Sequence, residues 1–296
     1  MSNRSKELLK KALMRPREAT RYLYWKTLGH IHTKGLRMLN GRQYDKIHND
    51  LMEEDKFLMI VLDACRTDYF EDEYPAYFDG EKQDLMSSGP HTFAYVSNTW
   101  HNNKEVKYIS GALPINTRIE KEGKGEGEER LYGDYVPKEN LDIVDAWREA
   151  WDEELGTPDP EKVTEIALEN KSDKMVVHYF QPHQPFIGET KIEGHTGNLQ
   201  NNAGTSPGKI IRSKIEKGEV TQENLGRAYR DNLKHVLKHA KKLAKEFPDR
   251  RVVITSDHGE LLESGGFFGH HKEIQHPMLR TIPWLEVDNI IDHKDP

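Results

Sequence analysis

The sequence predicts an α/β protein built on a largely parallel central sheet flanked by helices. Three observations lead there. The stretches FLMIVLD (57–63), KMVVHYF (174–180) and RVVIT (251–255) are short, nearly unbroken apolar runs, the pattern of strands buried on both faces. Segments of helical periodicity lie between them, so strands and helices alternate along the chain. The five Trp, twelve Tyr and nine Phe among 296 residues supply a core despite a charged content of 31%.

Residues 5–40 read as helix. Leu8, Leu9, Ala12, Leu13, Tyr22, Leu23, Trp25 and Leu28 recur at three-to-four spacing with basic residues between them, and Pro16 breaks the segment or starts its second half. FLMIVLD is the first buried strand and ends in Asp63. FAYVS (93–97) and VKYIS (106–110) are further strand candidates. Residues 140–155 read as a helix with Ile143, Ala146, Trp147 and Trp151 on a core-facing stripe. Residues 159–170 read as another, with Asp159 as N-cap and Pro160 in the first turn. KMVVHYF is the second buried strand. Residues 187–220, rich in Gly, Asn, Thr and Lys, read as a long excursion. A long helix over 221–247 opens at Thr221, and RVVIT follows as the third buried strand. TIPWLEV (281–287) is a fourth strand candidate, and the Gly/Glu/Lys run 120–130 reads as an exposed loop.

The net charge of −7 conceals an asymmetry: residues 1–46 carry +9 and residues 47–296 carry −16. Two units are expected, a basic helical extension over 1–46 and a catalytic domain over 47–296. The extension packs on the acidic body or makes peripheral contact with anionic lipid. The acidic body argues against nucleic acid and for a small-molecule, glycan or lipid head-group substrate. The single cysteine, Cys65, excludes an intramolecular disulfide and a cysteine-based zinc cluster. No apolar run reaches the roughly 18 residues of a membrane span, and no apolar leader-like stretch opens the sequence. The location expected on these grounds is cytoplasmic, with membrane-peripheral contact as an alternative.

In open α/β sheets, ligands gather beyond the carboxyl ends of the strands. The first buried strand ends in Asp63, followed by Arg66 and Asp68. The second carries His178 and runs on into His183. The third ends in Asp257-His258, with His270 and His271 downstream. Were the three strands parallel neighbours, one divalent cation could collect ligands from several tips. Carboxylate and imidazole without thiolate suit zinc or manganese best, with calcium and magnesium as alternatives.

TSDHGELLE…GHH resembles the Ser-Asp-His-Gly-Glu signature of the alkaline phosphatase superfamily, in its sulfatase and phosphoethanolamine- or phosphoglycerol-transferase branch. VLDACRTDYF is similar to that branch's first motif, and HYFQPHQPF to its middle one. AYRDNLKHVLKHAKKL resembles the Tyr- and Asp-bearing helix before the signature. The likeness spans roughly 57–287 in the right order.

The resemblance implies an alkaline-phosphatase-like sandwich and a metal held by Asp63, Asp257 and His258. It also implies a metal-activated hydroxyl nucleophile between the first and middle motifs. Thr99 is expected there, with Ser97 as the alternative. His183 and His270 would hold the ester's anionic oxygens, protonate the leaving group, or complete a second metal site. Arg66, His271 and Lys272 are the expected substrate contacts, although Arg66 could pair with Asp68 instead. Glu260 is expected to orient His258, and His178 to be a satisfied core histidine. Cys65 lacks the Cys-x-Pro-x-Arg context of formylglycine sulfatases, so a buried apolar role is expected for it. The implied activity is hydrolysis or transfer at a phosphate or sulfate ester. A formylglycine-independent sulfatase and an inactive metal-containing binding protein are the alternatives.

Overall fold

The computed structural model describes residues 16–100, 103–115, 141–192, 207–262, 268–270 and 274–291. The chain runs α1 (Pro16–Asn40), α2 (Gln43–Asn49), β1 (Phe57–Asp63), α3 (Thr67–Glu73), β2 (Phe78–Met86), α4 (Thr92–Thr99), β3 (Lys107–Ser110) and β4 (Asp142–Val144). It continues through α5 (Ala146–Glu149), β5 (Trp151–Asp152), β6 (Thr157–Pro158), α6 (Pro160–Glu169) and β7 (Lys174–Pro182). It ends with α7 (Pro207–Glu216), α8 (Gln222–Lys245), β8 (Arg251–Ser256), β9 (Leu261–Leu262), β10 (Phe268–Gly269), α9 (Pro277–Arg280) and β11 (Thr281–Ile290).

Seven strands make one mixed, mostly parallel sheet in the order β2-β11-β8-β1-β7-β3-β4. The three apolar runs are its centre: β1 pairs in parallel with β7 on one side and β8 on the other. Their side chains alternate between two cores, as the two-residue period of a strand requires. Leu58, Ile60 and Leu62 meet Leu233, Val236, Leu237 and Ala240 of α8. Phe57, Met59 and Val61 meet Ile47 of α2 and Tyr95 and Val96 of α4. Helices therefore cover both faces, and the carboxyl ends of β8, β1 and β7 lie side by side. Among the described residues no helix is long and apolar enough to cross a membrane.

Several local expectations change. FAYVS is not a strand but the body of α4, whose buried Tyr95, Val96 and Thr99 fall on one helical side. The His91 side chain caps it by accepting from Ala94 N, so tertiary packing and capping override the β propensity of these residues. The stretch 140–155 is broken rather than one helix. It supplies the edge strand β4, the single turn α5 and the β5-β6 ribbon, and Trp147 and Trp151 are only half-buried. TIPWLEV lies within β11, which pairs antiparallel with both β8 and β2. The polar edge strand β2 and the helix α7, inside the expected excursion, carried no clear sequence signal. The run 120–130 and the first part of the expected 5–40 helix lie outside the described residues.

Candidate active site

The site begins where the three central strands end. β1 leaves the sheet with a register shift between Leu62 and Asp63, which sets Asp63 opposite Pro182 of β7. The next residue, Ala64, takes a left-handed φ of 58°, a conformation that costs a non-glycine residue about 1 kcal/mol. Its neighbours hold it there: Ala64 N donates to Asp257 Oδ1 at 3.0 Å, and Tyr229 of α8 donates to Ala64 O at 2.7 Å. Tyr229 Oη also accepts from Arg66 N at 2.9 Å. Beyond β8, Ser256 Oγ lies 2.8 Å from Leu62 O and 2.6 Å from His258 O, either of which can accept its one proton, and it accepts from Cys65 N. Ser256 thereby ties two strand ends together. Gly259 is required on steric grounds, because a Cβ there would meet Met278 O at 1.9 Å.

These restraints gather Asp63, Asp257 and His258 so that one ligand atom of each lies within 4.8 Å of the others. His258 Nε2 is 3.7 Å from Asp63 Oδ1 and 3.4 Å from Asp257 Oδ2. His258 Nδ1 lies 2.7 Å from Gly259 O. Donation there assigns the proton to Nδ1 and leaves Nε2 with a free lone pair. All three side chains are buried. Asp63 Oδ1 and Asp257 Oδ2 are buried oxygens without a hydrogen-bond partner, and no Lys or Arg pairs with either carboxylate among the described residues. Burial first, then the charges of Asp257 and Glu260, push the Asp63 carboxyl well above the usual range. Burial likewise pushes His258 well below its own. Two dry carboxylates with no cation of their own fit a divalent metal ion, which supplies the missing compensation.

His178, expected to be a satisfied core residue, is part of this cluster. Its Nδ1 bonds Tyr108 Oη at 2.7 Å, while its unpartnered Nε2 sits 3.8 Å from Asp63 Oδ2 and 3.9 Å from Asp257 Oδ2. Burial lowers its pKa to about 4.

The hydroxyl at the cluster is Thr92, in the first turn of α4. Its Oγ1 is 3.4 Å from Asp63 Oδ2 and 3.3 Å from His258 Nε2. Thr99, the expected nucleophile, sits at the opposite end of the same helix, about 10 Å along its axis at 1.5 Å per residue. There its carbonyl contacts His48 Nε2, and the residue is fully buried. Ser97 is likewise in the second half of α4.

A second cluster adjoins the first. His183, Glu260 and His270 bring ligand atoms within 4.8 Å of one another, and the His258 and His270 rings are 4.4 Å apart. The β9-β10 ribbon returns the chain so that His270 Nδ1 stands 3.4 Å from Glu260 Oε1. Glu260 thus serves His270 rather than His258. His183 is set by its N–H on Asp63 O and by Asn232 of α8, whose Nδ2 donates to Pro182 O and His183 O. Burial and His270 lower the His183 pKa to about 4. Burial opposes protonation of His270, but Glu260 outweighs it and raises the His270 pKa.

Arg66 does not reach the carboxylate cluster. Its Nε and Nη2 donate to Asp68 at 2.9 and 2.6 Å, and it lines a separate cavity of about 270 Å³ with Tyr69 and Arg230. Cys65 is buried, and burial pushes its thiol well above the usual range, which fits an apolar rather than a nucleophilic role. His271 and Lys272 lie outside the described residues.

No protein-family profile and no curated protein matches the sequence. The fold is similar to several solved structures. Against the soluble domain of lipooligosaccharide phosphoethanolamine transferase A from Neisseria meningitidis, identity is 14% and the TM-score 0.48, over 78% of this chain and 76% of that one. Against the C-terminal periplasmic domain of EptC from Escherichia coli, solved in complex with Zn, identity is 14% and the TM-score 0.42, over 80% and 74%. Against the phosphonate monoester hydrolase of Silicibacter pomeroyi, identity is 13% and the TM-score 0.43, over 78% and 67%. These likenesses are of fold alone. They also correct the cytoplasmic location expected from the sequence: the Escherichia coli neighbour is a periplasmic domain, and the lack of an apolar leader-like stretch does not decide the compartment.

Proposed function

We propose that this chain is a metal-dependent enzyme that cleaves or transfers a phosphate or sulfate ester, with Thr92 as its nucleophile. The observation that carries the reading is the Thr92 hydroxyl, 3.4 Å from Asp63 Oδ2 and 3.3 Å from His258 Nε2, beside two buried carboxylate oxygens that have no partner.

Asp63, Asp257 and His258 would hold a divalent cation, and the donor set suits zinc or manganese. Such a cation, when bound, favours the ionised form of a neighbouring hydroxyl and offsets charge on ester oxygens. The remaining work falls to side chains. Thr92 Oγ1 would give its proton to Asp63 Oδ2, 3.4 Å away, and attack phosphorus or sulfur in line. His270, whose pKa Glu260 raises, would donate to the departing oxygen. His183, held mostly neutral, accepts hydrogen bonds within the same cluster. Water or an acceptor hydroxyl then displaces Thr92 and loses its proton to His270. The substrate class is a small molecule, a glycan or a lipid head group.

The test is to incubate the zinc- or manganese-loaded protein with aryl phosphate and aryl sulfate, quench in acid, and map the adduct by peptide mass spectrometry. An adduct on Thr92 that Thr92→Ala abolishes supports the reading. An adduct on Thr99 or Ser97, or turnover that survives Thr92→Ala, sinks it.

A further inference from the structure

Helix α1 has two apolar faces, and only one of them is covered. On the inner face, Tyr22 and Trp25 pack against Leu261, Ile274 and Leu279, and the Trp25 ring is 4.2 Å from that of His276. Gly29 lies so close to the body that a Cβ would meet Gln275 O at 2.4 Å. The helix is therefore seated firmly on the segment leading into α9, whose Leu279 O accepts from Gly259 N at the site.

On the outer face, Tyr24, Leu28, Ile31 and Met38 stand at i, i+4, i+7 and i+14, a spacing that keeps them on one stripe. Leu28 is 43% exposed, Ile31 66% and Met38 87%, with Leu39 beside them at 83%. A single exposed leucine needs no explanation, but four exposed apolar side chains on one stripe, interrupted only at Gly35, do. Arg21, Lys26, Lys34 and Arg37 are exposed on the same helix, within a segment (1–46) of net charge +9 on a body of −16. Like charge opposes face-to-face pairing of two copies of α1. An anionic surface complements it.

We propose that the outer face of α1 lies in the interfacial layer of an anionic lipid bilayer. The apolar stripe enters the head-group boundary while the flanking Lys and Arg side chains reach lipid phosphates. The inference is independent of the chemistry at the strand tips. It concerns which surface the enzyme works on, with the catalytic body held at the bilayer by the inner face of the same helix.

The experiment is co-sedimentation of the full chain with vesicles of phosphatidylcholine alone and of phosphatidylcholine mixed with phosphatidylglycerol. The wild type binds the mixed vesicles and not the neutral ones. The combined Ile31→Ser, Met38→Ser, Leu39→Ser variant and the Lys34→Glu, Arg37→Glu variant each bind about tenfold more weakly. Circular dichroism and melting temperature stay unchanged in both, because the altered side chains are exposed. A wild type that ignores anionic vesicles overturns the proposal, as does a triple variant that binds as well as the wild type. A lipid-free wild-type dimer that the triple variant dissolves, seen by sedimentation velocity, assigns the stripe to a second copy and also overturns it.

Discussion

The inner cluster of Asp63, Asp257 and His258 and the outer cluster of His183, Glu260 and His270 share a wall, yet they are built in opposite ways. The inner one stands on strand ends, fully buried, with two carboxylates and no cation among its protein neighbours. The outer one stands on loops, and His183 and His270 are partly open to solvent while Glu260 is matched by imidazoles. Unmatched buried charge calls for a metal ion. A matched acid–imidazole pair is already neutral enough to stay put and can handle protons instead. Two neighbouring clusters of carboxylate and imidazole thus differ in how their charges balance, and under the proposed reading that difference divides the labour between them.

The sharpest way to break this division is at the Thr92 hydroxyl beside the inner cluster. Thr92→Ala should lower turnover by roughly a thousandfold or more. Thr99→Val, at the far end of α4, should leave it within about twofold, measured with the same aryl ester. Equal losses would erase the distinction between the two ends of the helix.

Next in size is His270→Asn, with an expected loss of about a hundredfold from removal of the proton donor. Because Glu260 raises the His270 pKa, activity should fall as pH rises through that raised value. Glu260→Gln should move the falling limb of kcat against pH to lower pH. A limb that does not move would show that the outer cluster does not carry the proton.

The charge imbalance of the inner cluster has its own signature in the chelated protein. The Asp63 carboxyl is held above its ordinary pKa of about 4. A raised carboxyl contributes stability below that ordinary value and loses it as pH climbs through the raised one. The chelated protein should therefore melt higher in mildly acidic than in neutral buffer, and Asp63→Asn should flatten that slope. Wild type, but not Asp63→Asn, should gain on the order of 3 kcal/mol from zinc or manganese at a hundred times its dissociation constant. Calorimetry reads both effects.

The smallest expected effect is that of Tyr229→Phe. It removes the bonds to Ala64 O and Arg66 N that brace the loop after β1. A loss of about 1–2 kcal/mol in denaturant stability is expected, with only a modest change in rate.

The clustering of Asp63, Asp257 and His258 was legible in the sequence for a physical reason. Strands buried on both faces read as unbroken apolar runs, so a charged residue that ends one is conspicuous, as Asp63 and Asp257 are. Thr92 drew no notice because FAYVS looks extended by residue preference alone. Thr99 was expected from the family resemblance, by its place between the first and middle motifs, and it lies at the far end of α4 from the cluster. The available signal was the turn Ser87-Ser88-Gly89-Pro90-His91, which starts a helix at Thr92. The Glu260–His270 pairing depends on the small β9-β10 ribbon, a contact that no local pattern encodes. His178 looked like any histidine in an apolar strand, and only its place between two carboxylates reveals its other nitrogen.

The bond from Ala64 N to Asp257 Oδ1 joins positions 193 residues apart. Neither half of the polypeptide contains a working centre, and a nascent or clipped chain has no partial version of one. Contacts so distant in sequence carry a loop-closure cost that non-local pairing must repay, so the cluster is assembled only with the finished sheet. An incomplete chain therefore cannot bring Asp63 and Asp257 together.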